Sequence, residues 1–407
     1  MKGVALSDLH LGFRGAGRVV DGRNQREVDV ETAWAAAVEK IILERPDIVT
    51  IAGDVFHSVR PSMHAVKAWQ DGIQRIAEES PAAIIVIGGN HESPRTVETL
   101  TPNLVAERDA RIITEPCRLD LTVGRTGERV SVACLPFVAM QEERSFLVEP
   151  NPAADINILL IHAAVRSSLA PHALPPMYGG AAAYDVAAAE GFDIVACGDF
   201  HEFRVLSAHE PQWMWIGDPE SESLEQIYDL RREGAFAFYS GSIERTSSNI
   251  WDEHLPKGFV VFDTDLQLAR FVEIPTRRML QCDLGDFDLP PGVGAEEVNR
   301  CLAQMVQAGH PTLDRDALFR FRVDAFPRSE RDLIDWAAVR ELRERHVHFH
   351  LDIRWADRDT REFIDRRERP NRSLADEAAA WFADDEPPVR SAAFRYLGFD
   401  LPQEVPA

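Results

Sequence analysis

Asp8 and His10, in the run SDLHLG, are side chains that can bind a cation, and they close an apolar stretch that starts at the N-terminus. Four fragments of the same kind follow: Gly53-Asp54, Gly89-Asn90-His91-Glu92, Ile161-His162 and Gly198-Asp199-Phe200-His201. Each comes just after a short hydrophobic, strand-like segment. Ligands carried on strand ends converge, because neighbouring strands lie under about 5 Å apart. Hydrolysis of a phosphate ester requires neutralised phosphoryl oxygens, an activated water and a protonated leaving group. Two metal ions about 3.5–4 Å apart supply the first two. Oxygen ligands mixed with imidazole suit Mn²⁺, Fe or Zn²⁺ better than Ca²⁺. A carboxylate such as Asp54 can bridge two ions, and Asn90 adds a neutral oxygen. His91, beside a ligand, is suited to be the general acid. Taken singly, an Asp after Gly is most often a turn residue, and a His after a strand is a hydrogen-bonded core residue. Five such fragments in this order read as a two-metal phosphoesterase.

The segments that must position these groups alternate in type. Val4-Ala5-Leu6 leads to Asp8, and a polar loop with Arg14, Arg18, Arg23 and Arg26 follows. Those arginines either contact phosphates or pair with Asp21, Glu27 and Asp29 in a solvated loop. The pattern predicts a helix over 30–44, stopped by Pro46, and a buried strand over 47–52 that delivers Asp54. Met63, Val66, Trp69, Ile73 and Ile76 form one helical stripe, read as core in preference to a partner face. Residues 83–87 form a strand leading to GGNHES; a helix near 97–108 and a hairpin about Gly124 and Gly127 come next. Residues 156–161 and 192–197 lead into His162 and GDFH. Residues 202–239, with Trp213 and Trp215, read as a long Glu-rich excursion of no assigned role. A closing hairpin spans 257–262 and 268–274. The alternation suggests a layered α/β sandwich.

A chain of 407 residues suggests two or three domains, and 45% apolar residues are enough for a sizeable core. No run approaches the length of a membrane span, and the N-terminus reads as lacking a signal peptide. Five scattered cysteines without C-x-x-C spacing read as reduced core residues of a cytoplasmic protein. The net charge of −23 argues against a general nucleic-acid binder. Residues 1–275 hold 24 Lys+Arg against 41 Asp+Glu, so most of the imbalance lies around the candidate ligands, where bound cations offset part of it. Pro275 marks a boundary. Beyond it strands at 279–284, 318–323 and 346–353 and helices near 295–307 and 330–345 suggest a small α+β domain. The basic linker 366–372, a short helix over 374–383 and a tail with Phe394, Tyr396, Leu397 and Phe399 end the chain.

SDLH, GDVFH, GNHE, the isolated histidine and GDFH together resemble the calcineurin-like metallophosphoesterase signature. PDIVTIAGDVFHSVRPS (46–62) and YSGSIERTS (239–247) narrow this to a resemblance to DNA double-strand-break repair nucleases of the SbcD type and their archaeal and eukaryotic counterparts. The G-D-x-V-D-R-G run of protein Ser/Thr phosphatases is absent. The resemblance covers about residues 1–275. It implies a four-layer αββα sandwich over 1–275, a smaller α+β capping domain over 276–365 and a helical partner-binding tail over 366–407. It also implies a Mn²⁺-dependent exonuclease that works on DNA ends in repair and recombination, with endonuclease action as an open extension. Asp8, His10, Asp54 and His201 would serve one ion, and Asp54, Asn90, His162 and Asp199 the other. His91 would be the acid, while His57 and Arg60 match substrate-binding positions near the DNA path. Homodimerisation through nuclease-domain helices and an SMC-like ATPase of the SbcC type as partner are further implications. One departure stands out: the family's final G-H-x-H carries Asp199 in place of its first histidine. Two other readings compete, a phosphodiesterase for a cyclic or other small nucleotide and a DNA-binding scaffold silenced by Asp199.

Overall fold

The computed structural model describes residues 1–15, 18–92, 110–124, 127–138, 149–166, 184–216, 223–231, 233–247, 249–308 and 316–356. Its centre is two mixed sheets. The first has eight strands in the order Pro211–Ile216, Ser223–Asp229, Leu268–Glu273, Gly258–Asp263, Lys2–Leu6, Ile48–Ile51, Ala83–Ile87 and Arg111–Ile113. The second has six, in the order Arg204–Val205, Phe236–Tyr239, Ile194–Gly198, Ile156–His162, Glu128–Leu135 and Cys117–Val123. Lys2–Leu6, Ile48–Ile51 and Ala83–Ile87 are mutually parallel, as are Ile156–His162, Ile194–Gly198 and Phe236–Tyr239. Buried parallel strands carry apolar residues on both faces, which is why these segments read as unbroken hydrophobic runs.

Strand alternation assigns each side chain to a layer. Val4, Leu6, Val49 and Ile51 join a core with two helices, while Ala5, Ile48, Ile85 and Val260 face the second sheet. Ile158 and Leu160 meet them there, whereas Leu159 and Ile161 turn to the outer face, packed with Ala189 of the 3-10 turn Val186–Ala189. The architecture is the expected metallophosphoesterase sandwich.

The first helix, Gln25–Glu44, starts five residues before its hydrophobic pattern does. Asn24 caps it by accepting from the Arg26 N–H, and it stops where Arg45 takes a left-handed conformation ahead of Pro46. Arg26 is therefore helical and fully buried; it pairs with Asp29 at 2.7 Å and Glu244 at 3.2 Å. Arg14 pairs with Glu27 and Arg23 with Glu31, so these three arginines answer acids of the protein. The second helix, Met63–Glu79, is capped by Ser62. Trp69, Ile73 and Ile76 of its stripe are buried, and Trp69 stacks on Trp34 at 5.8 Å, but Met63 is 77% exposed. Gly72 permits this approach, since a Cβ there would lie 2.3 Å from the Trp34 Nε1.

Residues 202–239 are not a free excursion. They supply a hairpin, Pro211–Ile216 against Ser223–Asp229, that extends the first sheet, and two strands of the second. Ser223–Asp229 joins Leu268–Glu273 by backbone pairing, a long-range contact that periodicity does not encode.

The chain divides into two compact units. Among the described residues, one comprises those of Met1–Gln281, Leu302–Phe321 and Asp335–Leu351; the other comprises Cys282–Cys301, Arg322–Ile334 and residues 352–356. Strands Met279–Asp283, Leu318–Phe326 and His348–Trp355 and helix Ala295–Ala308 occur close to where they were expected. The last helix is shorter: Arg328–Leu333 is a 3-10 segment, and the α-helix begins at Trp336, capped by Asp335 on the Ala337 and Ala338 N–H groups. The expected helix at 97–108 and the segments 366–372, 374–383 and 394–399 lie outside the described residues. The five cysteines are free thiols. Among the described residues no helix is long and apolar enough to cross a membrane.

Candidate metal centre

The parallel strands of both sheets end on one edge, and the loops after them carry the candidate ligands. Asp8 and His10 follow Lys2–Leu6, Asp54 follows Ile48–Ile51, and Asn90 and His91 follow Ala83–Ile87. His162 ends Ile156–His162, and Asp199 and His201 follow Ile194–Gly198. The loops are laced to each other by the backbone: the Asp8 N–H donates to Gly53 O at 3.0 Å, and the His10 N–H to Asp54 O at 2.9 Å. Asp8, His10, Asp54 and Asp199 all have positive φ, from 47° to 98°. Non-glycine residues adopt that conformation at a cost, and such outliers gather at functional sites.

Glycines let the loops close. A Cβ on Gly89 would lie 2.1 Å from Asp54 Oδ1, and one on Gly198 would lie 2.0 Å from Ala52 O. His162 then crosses from the second sheet to the first, its Nδ1 donating to Ala52 O at 2.6 Å. That bond leaves Nε2 facing the cluster. It stands 3.7 Å from Asp54 Oδ1 and 3.8 Å from Asp199 Oδ1. His10 Nε2 and His201 Nε2 face each other at 3.0 Å, with Asp54 Oδ2 3.6 Å from the former. The Asp199 N–H reaches Asp8 Oδ1 at 3.2 Å. Asp8, His10 and His201 form one group able to hold a cation, Asp8, Asp54 and His162 a second, and His10, His57 and His91 a third.

The donor chemistry fits cations. The Asn90 side-chain oxygen, 3.0 Å from His162 Nε2, faces acceptors only; rotated, the amide nitrogen would reach Asp54 Oδ2 at 2.9 Å. With its oxygen inward, Asn90 would add a neutral donor to the carboxylates and imidazoles that could share a cation. The electrostatics agree. Burial pushes the Asp54 carboxyl up to about 7. Burial acts downward on His162, but Asp54, Asp8 and Asp199 outweigh it and raise the ring to about 9. Burial, then the neighbouring histidines His201 and His91, holds His10 well below its usual range. A bound cation would satisfy these carboxylates and imidazoles together.

His91 sits at the rim. Its backbone N–H donates to Asp54 Oδ1 at 2.9 Å, and its Nδ1 donates to His57 O at 2.6 Å, which leaves Nε2 on the site side, 4.0 Å from Asp54 Oδ2. His57 belongs to the same group: its Nδ1 lies 3.4 Å from His10 Nδ1 and its ring packs edge-on against Phe13. Burial, followed by His91 and His201, lowers it to about 4. Arg60 is different. It stands exposed beside the site loop, its backbone N–H donating to Ser58 Oγ.

Three charged residues of the site carried no assigned role in the sequence. Glu92 is buried and accepts from the backbone N–H groups of Asp54, Phe56 and Gly89 at 3.0, 2.7 and 2.9 Å, tying the second and third ligand loops together. It was visible as the fourth letter of GNHE. Glu253 and Lys257 lie behind His201, and their only sequence signal is an acid and a base four residues apart.

Comparison with known proteins agrees with this geometry. Residues 1–203 match the model of the family "Calcineurin-like phosphoesterase". The chain is similar to the "DNA double-strand break repair protein Mre11" of Methanococcus maripaludis, 31% identical over 102 residues, 25% of this chain and 26% of that one. The protein of the same name in Methanopyrus kandleri is 25% identical over 246 residues, 57% of this chain and 51% of that one. The SbcD component of the nuclease SbcCD of Staphylococcus epidermidis is 23% identical over 312 residues, 71% and 73% of the two chains. The chain thus spans about a quarter to a half of the length of these two Mre11 proteins. With the sandwich, the converging candidate ligands and the family match in agreement, residues 1–203 belong to the calcineurin-like phosphoesterases.

Proposed function

We propose that the protein is a two-metal DNA nuclease, an exonuclease open to endonuclease action as well, that processes DNA ends in double-strand-break repair. The observation that carries the reading is the convergence of Asp8, His10, Asp54, Asn90, His162, Asp199 and His201 at the same end of the two sheets, with His91 at the rim. Asp8, His10, Asp54 and His201 would hold one ion, and Asp54, Asn90, His162 and Asp199 the other, with Mn²⁺ the expected metal. Two bound cations supply charge neutralisation on the phosphoryl oxygens and activation of the attacking water. The chain's own residues do the rest. His91 delivers a proton from Nε2 to the leaving oxygen, its ring fixed through Nδ1 by the His57 carbonyl. His57 and exposed Arg60 line the approach of the substrate.

The choice of DNA over a small diester rests on the named relatives, a double-strand-break repair protein and a component of a nuclease. On the same analogy, residues 276–365 cap the DNA, residues 366–407 bind an SMC-like ATPase, and two copies of the chain pair in the cytoplasm.

The decisive assay uses end-labelled duplex and single-stranded DNA with Mn²⁺, Mg²⁺ or EDTA, and bis-p-nitrophenyl phosphate alongside. We expect Mn²⁺-dependent shortening of DNA that EDTA abolishes. Hydrolysis of the small diester with intact DNA in every metal would transfer the reading to a small phosphodiester substrate.

Asp199 distinguishes an adapted site from a silenced one. Its backbone N–H is bonded to Asp8 and its carboxylate faces His162, so it is seated among the ligands rather than turned away. Asp199→His, which swaps a seated carboxylate for a larger neutral ring, is therefore expected to reduce the Mn²⁺-dependent rate about tenfold, close to the cost of losing one well-placed group. A rate increase of that size would mean that the native chain is a silenced scaffold.

A further inference from the structure

Behind His201 the first unit buries an ion pair. The side chains of Lys257 and Glu253 are 1% and 5% exposed and in direct contact. Taking two charges out of water costs several kcal/mol per ion, and such a pair is weak evidence for stability. Its partners show where it acts. The Lys257 ammonium donates to the His201 backbone carbonyl at 2.7 Å, to Ser242 Oγ at 3.0 Å and to Glu253. Glu253 accepts from the backbone N–H groups of Thr246 and Ser247 at 3.0 and 2.7 Å. Its Oε1 then lies 3.6 Å from His201 Nδ1, with Thr246 Oγ1 3.4 Å from the same nitrogen.

One buried pair thus meets His201 twice, bonded to its carbonyl through Lys257 and set 3.6 Å from its ring nitrogen through Glu253. His162 and His91 present their Nδ1 atoms to backbone carbonyls instead. A carboxylate does more than a carbonyl: it holds the proton on Nδ1, keeps the Nε2 lone pair free, and raises the basicity of the ring.

We propose that Glu253, held in place by Lys257, is a positioning residue that fixes His201 with Nε2 toward the ion shared with Asp8 and His10 and strengthens it as a donor. The inference rests on the two-metal reading above and names the residues that tune one of its two ions. Glu253 does not touch substrate. Its effect is confined to the ion that His201 serves, whereas a merely structural pair would move both ions or neither.

The test is Mn²⁺ titration calorimetry of the full chain, with thermal midpoints in EDTA. Glu253→Gln alone strands a buried Lys257, so the double variant Glu253→Gln/Lys257→Met, which removes both charges, runs beside it, with Glu253→Asp as the variant that keeps the carboxylate. Outer-shell partners of ligand histidines are worth about 10–100-fold in metal affinity. We expect a loss in that range for one of the two ions in both amide variants, partial recovery in Glu253→Asp, and little change for the other ion. The ring ¹⁵N shifts of metal-free His201 should also move from an Nδ1–H tautomer toward a mixture. If the wild type binds two ions and the double variant, folded, binds both as tightly, the positioning role is wrong. A wild type that binds no Mn²⁺ overturns the metal reading and this role with it.

Discussion

Asp54→Asn should reduce Mn²⁺-dependent phosphodiester hydrolysis by about a thousandfold or more while leaving the protein folded. Asp54 is the one carboxylate within 4 Å of His10, His91 and His162 together among the described residues. If it bridges two cations, its charge sets the affinity of both. Loss of metal-borne charge stabilisation is worth several kcal/mol, and about 4 kcal/mol is a thousandfold in rate. Asparagine keeps an oxygen to accept the His91 N–H that Asp54 Oδ1 now takes at 2.9 Å, so the loop has no reason to unravel. Burial raises the carboxyl to about 7, which marks its charge as costly when no cation is bound. The substitution should therefore leave the thermal midpoint in EDTA level or higher while calorimetry shows weakened binding of both ions. Retention of more than a tenth of the wild-type kcat, with two ions still bound, would remove Asp54 from the bridging position.

His91→Ala should cost about 10²–10⁴ in kcat on DNA, the usual range for a positioned general acid, with metal affinity nearly unchanged. The separation of the two effects follows from geometry. His91 is anchored at the rim of the cluster by His57 O, its side chain about a third exposed, with Nε2 facing the site. A deoxyribose alkoxide needs a proton to leave, but p-nitrophenolate does not. The variant should thus lose far less activity on bis-p-nitrophenyl phosphate than on DNA. An equal loss on both substrates would make His91 a substrate-orienting or metal-affecting residue rather than the acid.

The candidate ligands were legible as a set because each follows a strand, and apolar runs ending in Gly-Asp, Gly-Asn-His or a single His announce both the strand and its end. The two-sheet core was legible for the same reason. What lay hidden was whatever depends on distant partners. Arg26 reads as a loop arginine, yet its buried partner Glu244 lies more than two hundred residues away. Met63 fits the periodic stripe of its helix but falls at its first turn, beyond the reach of the core that covers Trp69. The hairpin 211–229 has no signal for the sheet it joins, because edge pairing is made by backbone groups that every sequence carries. Glu92 and the Glu253–Lys257 pair were readable as letters but not as roles, since a carboxylate that serves backbone N–H groups or a ring nitrogen looks in sequence like any surface acid.

The left-handed backbone at Asp8, His10, Asp54 and Asp199 has a practical consequence for anyone improving this protein. At these positions glycine relieves conformational strain, and at Asp8 and Asp54 it also deletes a buried charge, so folding alone rewards the substitution. A library ranked by expression, solubility or melting temperature would drift toward well-behaved chains that have lost these candidate ligands. Selection for robustness on this scaffold has to be run with the cation present and catalysis scored, because at its centre the two goals point in opposite directions.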